Sequence, residues 1–546
     1  MVKNIVIVGA GFAGVMTARK LARQLSNKRE FQIVLIDEHP FFTYRTSLHE
    51  VVTKRIEPSD VQFDLGQLFV HQKNVKIVTA NVEDVDRDQK LVETSLGSIP
   101  YEKLVFATGR EADTNIPGAA EFGYTMWTLN SAVQLRGHIE EKIRQAAIEL
   151  DPVAKQTMLN LVIVGGGFTG IQLAGDLLDE RRELADANNL SEHDIKVTVI
   201  EQENDILSQL GSSTLAKKAE TYLLKQGANI IKSTSAQQVL EHEIVLSDGT
   251  KMPTETVIWA GGARAKDSFD DFDLETDETG HVYVDDFSRA KDQADIYAVG
   301  DTSTYREMAR ANPDDPETGW TIKNVDGAMS GADTAVANIV FDLTGKGTKK
   351  RYKGRHNGFA ISVGSHYAVA LLHNRLSFSG FLASEYKHWT NIGFLLTLGS
   401  YYQVFKYLMR EVFRTPHQRT STKGNTSNMG NTLWAVPLRL VTGIFLIITG
   451  AAIGGGFGMV FAGVGVALFL GFLTTLASLL TLLLSLILFG TSFTLSALLL
   501  PFVAIALMNG SGRSFGLDHW VMPWLIKNIG TFINGESKSS YNDLKK

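Results

Sequence analysis

The stretch that decides the fold reads IVIVGAGFAG, at Ile5–Gly14. Its apolar half is typical of a buried β-strand, and the GxGxxG pattern that follows is typical of a tight turn opening a helix. A second apolar run, Phe31–Ile36, follows that helix and ends in Asp37. These three elements predict a βαβ unit that binds the pyrophosphate of a dinucleotide at the positive end of its helix.

The same pattern occurs a second time, as LVIVGGGFTG at Leu161–Gly170. Its second strand, Ile195–Ile200, ends in Glu201. Asp37 and Glu201 are placed to accept hydrogen bonds from ribose hydroxyls, and a carboxylate at 201 would repel the 2′-phosphate of NADPH. One copy alone could be a glycine-rich structural turn, but two copies with both acids predict two dinucleotides. The simplest pair is FAD held permanently and NADH visiting, with hydride passing to the flavin.

Composition narrows the class of protein further. The 546 residues suggest several structural units, and the net charge of −6 gives no reason to expect a nucleic-acid partner. The chain contains no cysteine, which excludes disulfides, cysteine-ligated metal clusters and thiolate nucleophiles. We predict no metal site. A mean hydropathy of zero conceals a strong difference between the two ends of the chain.

The region from Leu440 to Gly512 contains no Asp, Glu, Lys, Arg or His. As one helix it would be about 110 Å long, whereas the hydrocarbon core of a bilayer is about 30 Å thick. The region must therefore fold back, with turns at Gly454–Gly456, within 470–475 and at Gly490–Ser492. Basic residues dominate both flanks, which places both in the cytoplasm and favours four spans. Three spans, or a buried helical core in a soluble domain, are the alternatives.

Residues 386–415 mix aromatic and basic side chains, which indicates amphipathic helices on a membrane surface. An ordinary packed pair of terminal helices is the alternative. The predicted fold class is α/β, with two Rossmann-like dinucleotide-binding domains and a C-terminal α-helical transmembrane domain. We expect an FAD-binding domain at 1–115 and 281–345, an NADH-binding domain at 116–280, a C-terminal subdomain at 346–415, a flexible linker at 416–432, the transmembrane domain at 433–510 and a cytoplasmic tail at 511–546.

Further motifs carry a family resemblance, because five of them occur in the order seen in type II NADH dehydrogenases. They are Phe106–Gly109 (FATG), Asn115–Gly118 (NIPG), Leu173–Gly175 (LAG), Val257–Gly262 (VIWAGG) and Tyr297–Asp301 (YAVGD). Residues 1–415 therefore resemble these FAD-dependent NADH:quinone oxidoreductases, which implies FAD as cofactor, NADH as substrate and a quinone as acceptor. Disulfide reductases and sulfide:quinone oxidoreductases of the same architecture need cysteine, which is absent.

The resemblance also implies a set of site residues. Those expected to bind the two dinucleotides are Gly9, Gly11, Phe12, Ala13, Gly14, Asp37, Glu38, Thr46, Val82, Ala107, Thr108, Gly109, Gly165, Gly167, Phe168, Thr169, Gly170, Glu201, Gly261, Gly262, Asp301, Asn324 and Val325. The expected catalytic residues are Gln172, where the family usually has Glu, and Lys387, near the flavin. Contact with a lipid headgroup is the alternative for Lys387.

One departure from the family concerns the acceptor. The stretch Asn324–Gly331 lacks the two glutamines that line the family's quinone site. This motivates a rival function, an NADH oxidase or metal reductase with a soluble acceptor. A second rival is a flavoprotein that senses NADH without being an enzyme. His366 and His388 could donate protons to a quinone, but a structural role is the stronger interpretation.

The C-terminal block resembles DoxX-like membrane proteins at its two ends, around Pro437–Gly443 and Gly512–Asp518. Its spans contain no ionisable residue, so we predict no ion translocation. The expected protein is a non-proton-pumping dehydrogenase of the bacterial plasma membrane with cytoplasmic catalytic domains. A menaquinone-type acceptor would connect it to respiration or extracellular electron transfer. Membrane lipid, a homodimer and a membrane partner for the spans are the other expected contacts.

Overall fold

The computed structural model places most of the chain. It describes residues 2–265, 272–308, 311–312, 315, 318–355, 358–373, 375–411, 435–491, 495–508, 512, 515–518, 520–521 and 525. The chain divides into two compact units, Met1–Thr426 with Asp543–Lys546, and Ser427–Asn542. The predicted linker at 416–432 lies outside the described residues, as does most of the predicted tail at 511–546.

The first fingerprint belongs to a five-stranded parallel sheet with its own strand at the centre. The strand order is Ile296–Ala298, Lys103–Phe106, Lys3–Val8, Phe31–Asp37 and Val75–Thr79. The first of these strands comes last in the sequence, so two distant segments of the chain build one sheet. Both faces are covered, which explains why the central strand is a continuous apolar run.

The second fingerprint belongs to a second parallel sheet of the same size. Its strand order is Gly123–Tyr124, Thr256–Trp259, Asn160–Val164, Lys196–Ile200 and Asn229–Ile231. In both sheets the fingerprint strand lies at the centre, with the strand that ends in the acidic residue beside it. The α/β class and the two Rossmann-type sheets predicted from the sequence are therefore confirmed.

The first unit also contains smaller sheets of two or three strands. Two antiparallel meanders comprise Val82–Asp86, Leu91–Thr94 and Gly97–Pro100, and Ala236–Val239, Glu243–Leu246 and Lys251–Pro253. A third three-stranded sheet comprises Gly358–Ser362, Ala368–Leu372 and Leu376–Ser379. The two-stranded pairs are Phe41–Thr43 with Gln62–Asp64, Arg110–Ala112 with Ala263–Ala265, and Val282–Tyr283 with Ser303–Thr304.

The helices of the first unit pack on these sheets. The α-helices are Phe12–Gln24, Leu48–Val52, Leu65–Leu68, Ala119–Phe122, Leu129–Ile148, Pro152–Met158, Phe168–Asn188, Ser213–Lys225, Val325–Thr344, Phe381–Thr397 and Tyr401–Met409. Short 3₁₀ turns span Arg45–Ser47, Pro58–Asp60, Ser208–Leu210 and Gly300–Thr302. Alternate residues of each central strand belong to different apolar clusters: Ile5 and Ile163 join one continuous core, whereas Val6 and Val162 face two smaller clusters.

In its described residues, the second unit contains four consecutive apolar helices, Ala435–Ile453, Gly455–Leu470, Thr474–Thr491 and Leu495–Leu507. The first two breaks fall at Gly454 and at Gly471–Leu473, within the turns predicted from the sequence. The third helix ends at Thr491, and the residues after it, 492–494, lie outside the described part. Among the described residues, only the first helix is both long and apolar enough to cross a membrane. Four spans are therefore not confirmed, because at about 1.5 Å per residue the second and fourth helices fall short of a bilayer core.

A buried polar cluster closes one end of this four-helix unit. Arg439 is only 1 % exposed, and its Nη2 donates to the carbonyl oxygen of Phe515 at 3.0 Å. The carboxylate of Asp518 accepts from the backbone of Leu473 at 2.6 Å and from both the backbone and the hydroxyl of Thr474, at 2.8 and 2.6 Å. Residues assigned to the tail from the sequence thus cap the third helix here.

Candidate functional site

The first glycine cradle lies where the strand Lys3–Val8 meets the helix Phe12–Gln24. Gly9 has φ +99°, and a Cβ there would lie 2.5 Å from the carbonyl oxygen of Ala107. A Cβ on Gly14 would lie 1.8 Å from the carbonyl oxygen of Gly9. No protein atom lies within 4 Å of the position a Cβ would take on Gly11. Two glycines are thus required by the fold, and the third leaves an open space at the start of a helix.

Asp37 fixes the loop of this cradle from the end of the neighbouring strand. Its Oδ2 accepts from the backbone of Ala10 at 2.6 Å, and its Oδ1 accepts from the backbone of His39 at 2.9 Å. Burial raises the pKa of the Asp37 carboxyl, but the hydrogen bonds from His39 and Ala10 outweigh it and leave the pKa below its ordinary value. The carboxylate is therefore charged and keeps lone pairs for a ribose. Glu38 is the next residue along the chain, and it is exposed.

The loop after the strand Lys103–Phe106 meets the segment after the strand Ile296–Ala298. The backbone of Gly109 donates to Thr302 Oγ1 at 2.8 Å, and the hydroxyl of Thr108 lies 3.4 Å from the same oxygen. Arg110 Nε donates to Asp301 Oδ2 at 3.0 Å. The structure therefore brings three predicted residues, Thr108, Gly109 and Asp301, to one edge of the first sheet, beside Ala107.

The helix Val325–Thr344 begins at this edge. Its N-cap is Asn324, whose Oδ1 accepts from the backbone of Gly327 at 2.9 Å. A Cβ on Gly331 would lie 3.3 Å from the backbone nitrogen of Gly300, so the helix and the Asp301 turn are in close contact. The positive end of a helix dipole is thus available to an anionic group bound beside Asn324 and Val325.

Lys323 immediately precedes this helix, and its Nζ donates to the carbonyl oxygen of Ser303. Burial lowers the pKa of the Lys323 ammonium to about 8, against the attraction of Asp301. Its pKa in the unfolded chain is 10.5, so between these values the unfolded chain binds more protons than the folded one. The contribution of Lys323 to stability therefore increases with pH across this range.

We expect the substitution Lys323→Met to abolish this rise. Without bound ligand, the unfolding midpoint of the variant should exceed that of the wild type near pH 8, where the buried charge is costly, and the difference should shrink towards about pH 9.5. Thermal unfolding monitored by circular dichroism measures both midpoints. Lys346 is exposed, so Lys346→Met is the matched control, with no pH-dependent difference expected. A constant difference for Lys323→Met across the range would contradict the assignment.

The second glycine cradle repeats the geometry of the first. Gly165 has φ +108° and approaches the backbone of Ala260, where a Cβ would lie 2.8 Å from the carbonyl oxygen. A Cβ on Gly170 would lie 1.9 Å from the carbonyl oxygen of Gly165, and one on Gly167 would meet no protein atom within 4 Å. Thr169 lies in the first turn of the helix Phe168–Asn188, which opens on this space.

Glu201 occupies in the second cradle the place of Asp37 in the first. Its Oε2 accepts from the backbone of Gly166 at 2.6 Å, and its Oε1 accepts from the backbone of Glu203 at 2.9 Å. The predicted residues Gly261 and Gly262 follow the adjacent strand, and Trp259 Nε1 donates to the carbonyl oxygen of Asp113 at 2.7 Å. This bond joins the second sheet to the segment after the strand Arg110–Ala112, next to the second cradle.

For three residues predicted to bind a dinucleotide, the surroundings of the side chain do not by themselves indicate a ligand site. The ring of Phe12 packs against Phe42, Tyr44 and Phe394, with centroids 5.0–5.8 Å apart, so the side chain lies in an aromatic cluster. Thr46 is exposed in a 3₁₀ turn. Val82 begins a meander strand and packs against the smaller apolar cluster of the first domain. Within the described residues, no three His, Asp or Glu side chains are grouped to hold a metal ion.

The two predicted catalytic residues meet at a single hydroxyl. Gln172 Nε2 lies 3.2 Å from Ser362 Oγ, and Lys387 Nζ donates to the same oxygen at 2.9 Å. Gln172 also lies 3.2 Å from His49 Nε2, and His49 Nδ1 lies 2.7 Å from Asp176 Oδ2. Side chains from the segments that carry the first cradle, the second cradle and the small third sheet therefore meet at this hydroxyl. We call the group of side chains around it the junction cluster; it consists of His49, Glu50, Arg55, Gln172, Asp176, Ser362 and Lys387.

The junction cluster carries charges that are almost completely buried. Lys387 Nζ lies 3.1 Å from Glu50 Oε1, and Arg55 lies 3.6 Å from the same oxygen and 3.9 Å from Asp176. Burial raises the pKa of Glu50, but Lys387 and Arg55 outweigh it and hold the pKa well below its ordinary range. Burial likewise opposes ionisation of Asp176, while His49 and Arg55 leave its pKa lowered. Both carboxylates are therefore charged, and Lys387 is 7 % exposed rather than at a lipid surface.

The two histidines considered as proton donors lie elsewhere. His388 Nδ1 lies 2.6 Å from the hydroxyl of Tyr407, and burial lowers the pKa of His388, which favours the neutral ring. Its contacts support the structural interpretation. His366 lies near Asp179, whose carboxylate accepts from Ser365.

Comparison with known proteins defines the class. The family described as pyridine nucleotide-disulphide oxidoreductase matches residues 3–325, and the chain belongs to this family. The type II NADH:quinone oxidoreductase of Staphylococcus saprophyticus is 26 % identical over 377 residues, covering 68 % of this chain and 90 % of that protein. That of Staphylococcus haemolyticus is 27 % identical over 378 residues, with the same coverage. The predicted resemblance to type II NADH dehydrogenases, and hence an oxidoreductase, is confirmed.

Solved structures show the same fold. NDH2 from Plasmodium falciparum in complex with NADH superposes with a TM-score of 0.66 at 15 % identity, covering 76 % of this chain and 99 % of that chain. The sulfide:quinone oxidoreductase of Aquifex aeolicus superposes with a TM-score of 0.58 at 19 % identity, covering 76 % and 96 %. The resemblance of the C-terminal block to DoxX-like proteins stays a prediction.

Several site residues were not predicted from the sequence. Asp176 lies four residues after Gln172, hence on the same helix face, and this spacing could have revealed it. Thr302 directly follows the YAVGD motif. His49, Glu50 and Ser362 have no local signal, because each of them has a partner in the cluster that lies more than a hundred residues away in the chain.

Proposed function

We propose that this chain is a membrane-bound NADH:quinone oxidoreductase that does not pump protons. The observation that supports it best is the pair of open glycine cradles, each completed by an acidic side chain, with the junction cluster between the parts of the chain that carry them. The predicted domain bounds at 1–115 with 281–345 and at 116–280 assign one cradle to each dinucleotide.

The first cradle fits FAD. The space beside Gly11 admits a pyrophosphate, the backbone groups at the helix start can donate to it, and the Asp37 carboxylate can accept from a ribose. Asp301, positioned by Arg110, can accept from a ribityl hydroxyl. The helix that Asn324 caps offers its positive end to an anionic ring. When bound, FAD supplies hydride acceptance from NADH and electron delivery to a quinone.

The second cradle fits NADH in the same way. Gly167 leaves the space for the pyrophosphate, and Glu201 offers a carboxylate that repels a 2′-phosphate, which favours NADH over NADPH. The loop containing Gly261 and Gly262 follows the strand beside the cradle. Gln172 lies one turn further along the cradle helix, where its amide can orient a bound group but cannot supply a proton to it.

Attachment to a membrane is supported by apolar surface in the first unit. The helices Phe381–Thr397 and Tyr401–Met409 expose large apolar side chains to solvent. Those are Phe381, Leu382, Trp389, Leu396, Tyr401, Phe405 and Leu408. The charge-free block at 440–512 adds hydrophobic helices without an ionisable residue that could carry ions. The bacterial plasma membrane, with the catalytic domains cytoplasmic, accounts for both features; a homodimer and a membrane partner remain predictions.

The acceptor is tested by comparing quinones with soluble acceptors. Purified protein should oxidise NADH with a menaquinone analogue at least about tenfold faster than with oxygen or ferric citrate. The missing glutamines in Asn324–Gly331 favour the rival, an oxidase or metal reductase. Equal rates with oxygen would contradict the assignment of a quinone as acceptor. Failure of NADH to bleach the flavin would contradict the assignment of the protein as an enzyme.

Removal of residues 433–546 tests the role of the second unit. We expect the shortened protein to keep its FAD and its rate of flavin bleaching by NADH, because both cradles lie in the first unit. We expect quinone reduction in proteoliposomes to fall by about tenfold, because the quinone is dissolved in the membrane. Stopped-flow absorbance and quinol formation measure the two steps. Loss of flavin on truncation would contradict the assignment of both cradles to the first unit alone. An unchanged rate of quinone reduction would show that the second unit takes no part in quinone reduction.

A further inference from the structure

Arg19 is a buried positive charge without an acidic partner. It lies on the helix Phe12–Gln24 and is only 5 % exposed. Its Nη1 donates to the carbonyl oxygen of Leu68 at 2.7 Å. Among the described residues, its Nε has no hydrogen-bond partner, and no carboxylate lies within 4.0 Å of the guanidinium. A buried charge without a counter-charge destabilises a fold, so this arginine calls for an explanation.

A second arginine lies beside the first. Arg23 is exposed and follows Arg19 by one helical turn, on the same face of the helix. The Nη2 atoms of both arginines lie within 4 Å of the position that a Cβ would take on Gly399. Burial lowers the pKa of the Arg19 guanidinium, and the charge of Arg23 lowers that pKa further. Two like charges are therefore held together against the turn that contains Gly399.

The segments around the two arginines contain no acidic side chain. Asp and Glu are absent from the helix Phe12–Gln24, from residues 65–76 and from residues 386–410. Lys20, which lies between the two arginines in the sequence, already pairs with Asp333. The carboxylate of Asp333 is thus engaged, and the positive charge of the arginines is not neutralised by the segments that pack around them.

Helix ends offset a part of this charge. The C-terminal end of a helix carries about half a negative charge. Arg23 lies in the last turn of its own helix, and the turn at Gly399 follows the end of the helix Phe381–Thr397. Two such ends offset about one of the two positive charges, which leaves about one positive charge for an external anion.

Exposed apolar side chains border the same turn. Leu396 and Tyr401 precede and follow Gly399 in the chain, and both are exposed. Val70 is also exposed, two residues after the carbonyl group that Arg19 binds. A ligand that suits this surface combines one negative charge with an apolar part, and an anionic lipid has both. The inference rests on the membrane attachment in the proposed function, because the ligand comes from a bilayer.

We propose that Arg19 and Arg23 bind the phosphate of an anionic phospholipid, with its acyl chains along Leu396 and Tyr401. Guanidinium groups suit phosphate oxygens, to which they donate paired hydrogen bonds. The phosphodiester of phosphatidylglycerol carries a single negative charge, which matches the charge that the helix ends leave. Phosphatidylcholine adds a positive charge of its own, and inorganic phosphate has no apolar part. The bound lipid holds the turn at Gly399 on the membrane surface.

The first test measures the lipid affinity of the full-length protein. Native mass spectrometry in dodecyl maltoside counts bound phosphatidylglycerol or phosphatidylcholine as each is titrated. We expect the wild type to prefer phosphatidylglycerol by at least about tenfold, and Arg23→Gln to lose most of this preference. Arg182→Gln is the matched control, because it removes the same charge from a side chain that is 76 % exposed and pairs with Asp186. Equal losses in both variants would show unspecific attraction and overturn the proposal.

The second test locates the lipid. Phosphatidylglycerol with a photoreactive acyl chain, mixed into phosphatidylcholine liposomes that contain the full-length protein, should label the tryptic peptide 388–406, which includes Leu396 and Tyr401. Labelling of this peptide should fall by about tenfold in Arg23→Gln and stay at the wild-type level in Arg182→Gln. Unchanged labelling in Arg23→Gln would overturn the proposal. Inorganic phosphate at millimolar concentration should not compete; if it displaces the lipid, the site takes free phosphate and the assignment to a lipid fails.

The role of Arg19 is tested by a variant that keeps its charge. Arg19→Lys retains the positive charge but loses the paired donors, and we expect its affinity for phosphatidylglycerol to fall by about tenfold. Circular dichroism checks that the variant is folded, and if it is not, Arg23→Gln alone decides. An unchanged affinity in folded Arg19→Lys would overturn the assignment of Arg19 to the site.

The outcomes distinguish this inference from the function on which it rests. If the full-length protein does not incorporate into liposomes of phosphatidylcholine alone, the membrane attachment in the proposed function fails. If it incorporates but shows no preference for phosphatidylglycerol, only the lipid site fails.

Discussion

Substitution of Gly11 by Val should yield a folded protein without flavin, whereas substitution of Gly167 by Val should yield a yellow protein that NADH no longer bleaches. Gly11 has φ −76° and Gly167 has φ −73°, so neither needs glycine for its backbone conformation. A Cβ at either position meets no protein atom within 4 Å. Each added side chain therefore leaves the fold intact and occupies only the space proposed for a pyrophosphate.

The flavin absorbance at about 450 nm per protein measures the first effect, and stopped-flow bleaching measures the second. We expect flavin content to fall by more than about tenfold in Gly11→Val and bleaching to slow by more than about a hundredfold in Gly167→Val. Gly14→Ala is the contrasting control, because its Cβ would lie 1.8 Å from the carbonyl oxygen of Gly9 and should impair folding itself. A Gly11→Val protein with full flavin would refute the assignment of FAD to this cradle.

The cradles could be predicted from the sequence because their determinants are local. A strand, a turn with fixed glycines and an acid at the end of the next strand all lie within one βαβ unit, and each follows from backbone sterics. The breaks at Gly454 and Gly471 were predictable for the same reason. The duplication of the unit then indicated the class of protein without knowledge of any contact between the two domains.

The junction cluster could not be predicted, because its contacts are distant in the chain. Glu50 and Lys387 are 337 residues apart, and Gln172 and Ser362 are 190 apart. Gln172 and Lys387 were identified by resemblance alone, and nothing in the sequence indicates that one hydroxyl joins them. The number of spans was uncertain for another reason: hydropathy gives the total apolar length, whereas the positions of the glycines decide how that length is divided among helices.

Replacement of Lys387 by Met should destabilise the first unit by about 3 kcal/mol, because removal of one partner from a buried ion pair leaves the other charge buried without compensation. The carboxylate of Glu50 has a side-chain exposure of 3 % and would retain Arg55, at 3.6 Å, as its ion-pair partner among the described residues. Urea unfolding of the detergent-solubilised protein, followed by tryptophan fluorescence, measures the change. Lys251, whose side chain is 64 % exposed in its pair with Glu243, provides the control, and Lys251→Met should cost below about 1 kcal/mol.

The pH dependence of this loss identifies Glu50 as its source. In the wild type Lys387 and Arg55 hold the pKa of Glu50 well below its ordinary range, so its stabilising contribution is present at neutral pH and lost only as the pH falls through that low value. Without Lys387 burial should raise the pKa of Glu50, and the carboxyl should become neutral in mildly acidic solution. The difference in stability between wild type and Lys387→Met should therefore be largest at neutral pH and shrink towards about pH 5. Adding Glu50→Gln to Lys387→Met removes the stranded charge and should recover more than half of the lost stability at neutral pH. If the double variant is no more stable than Lys387→Met, the loss comes from packing around the lysine rather than from the charge it neutralises.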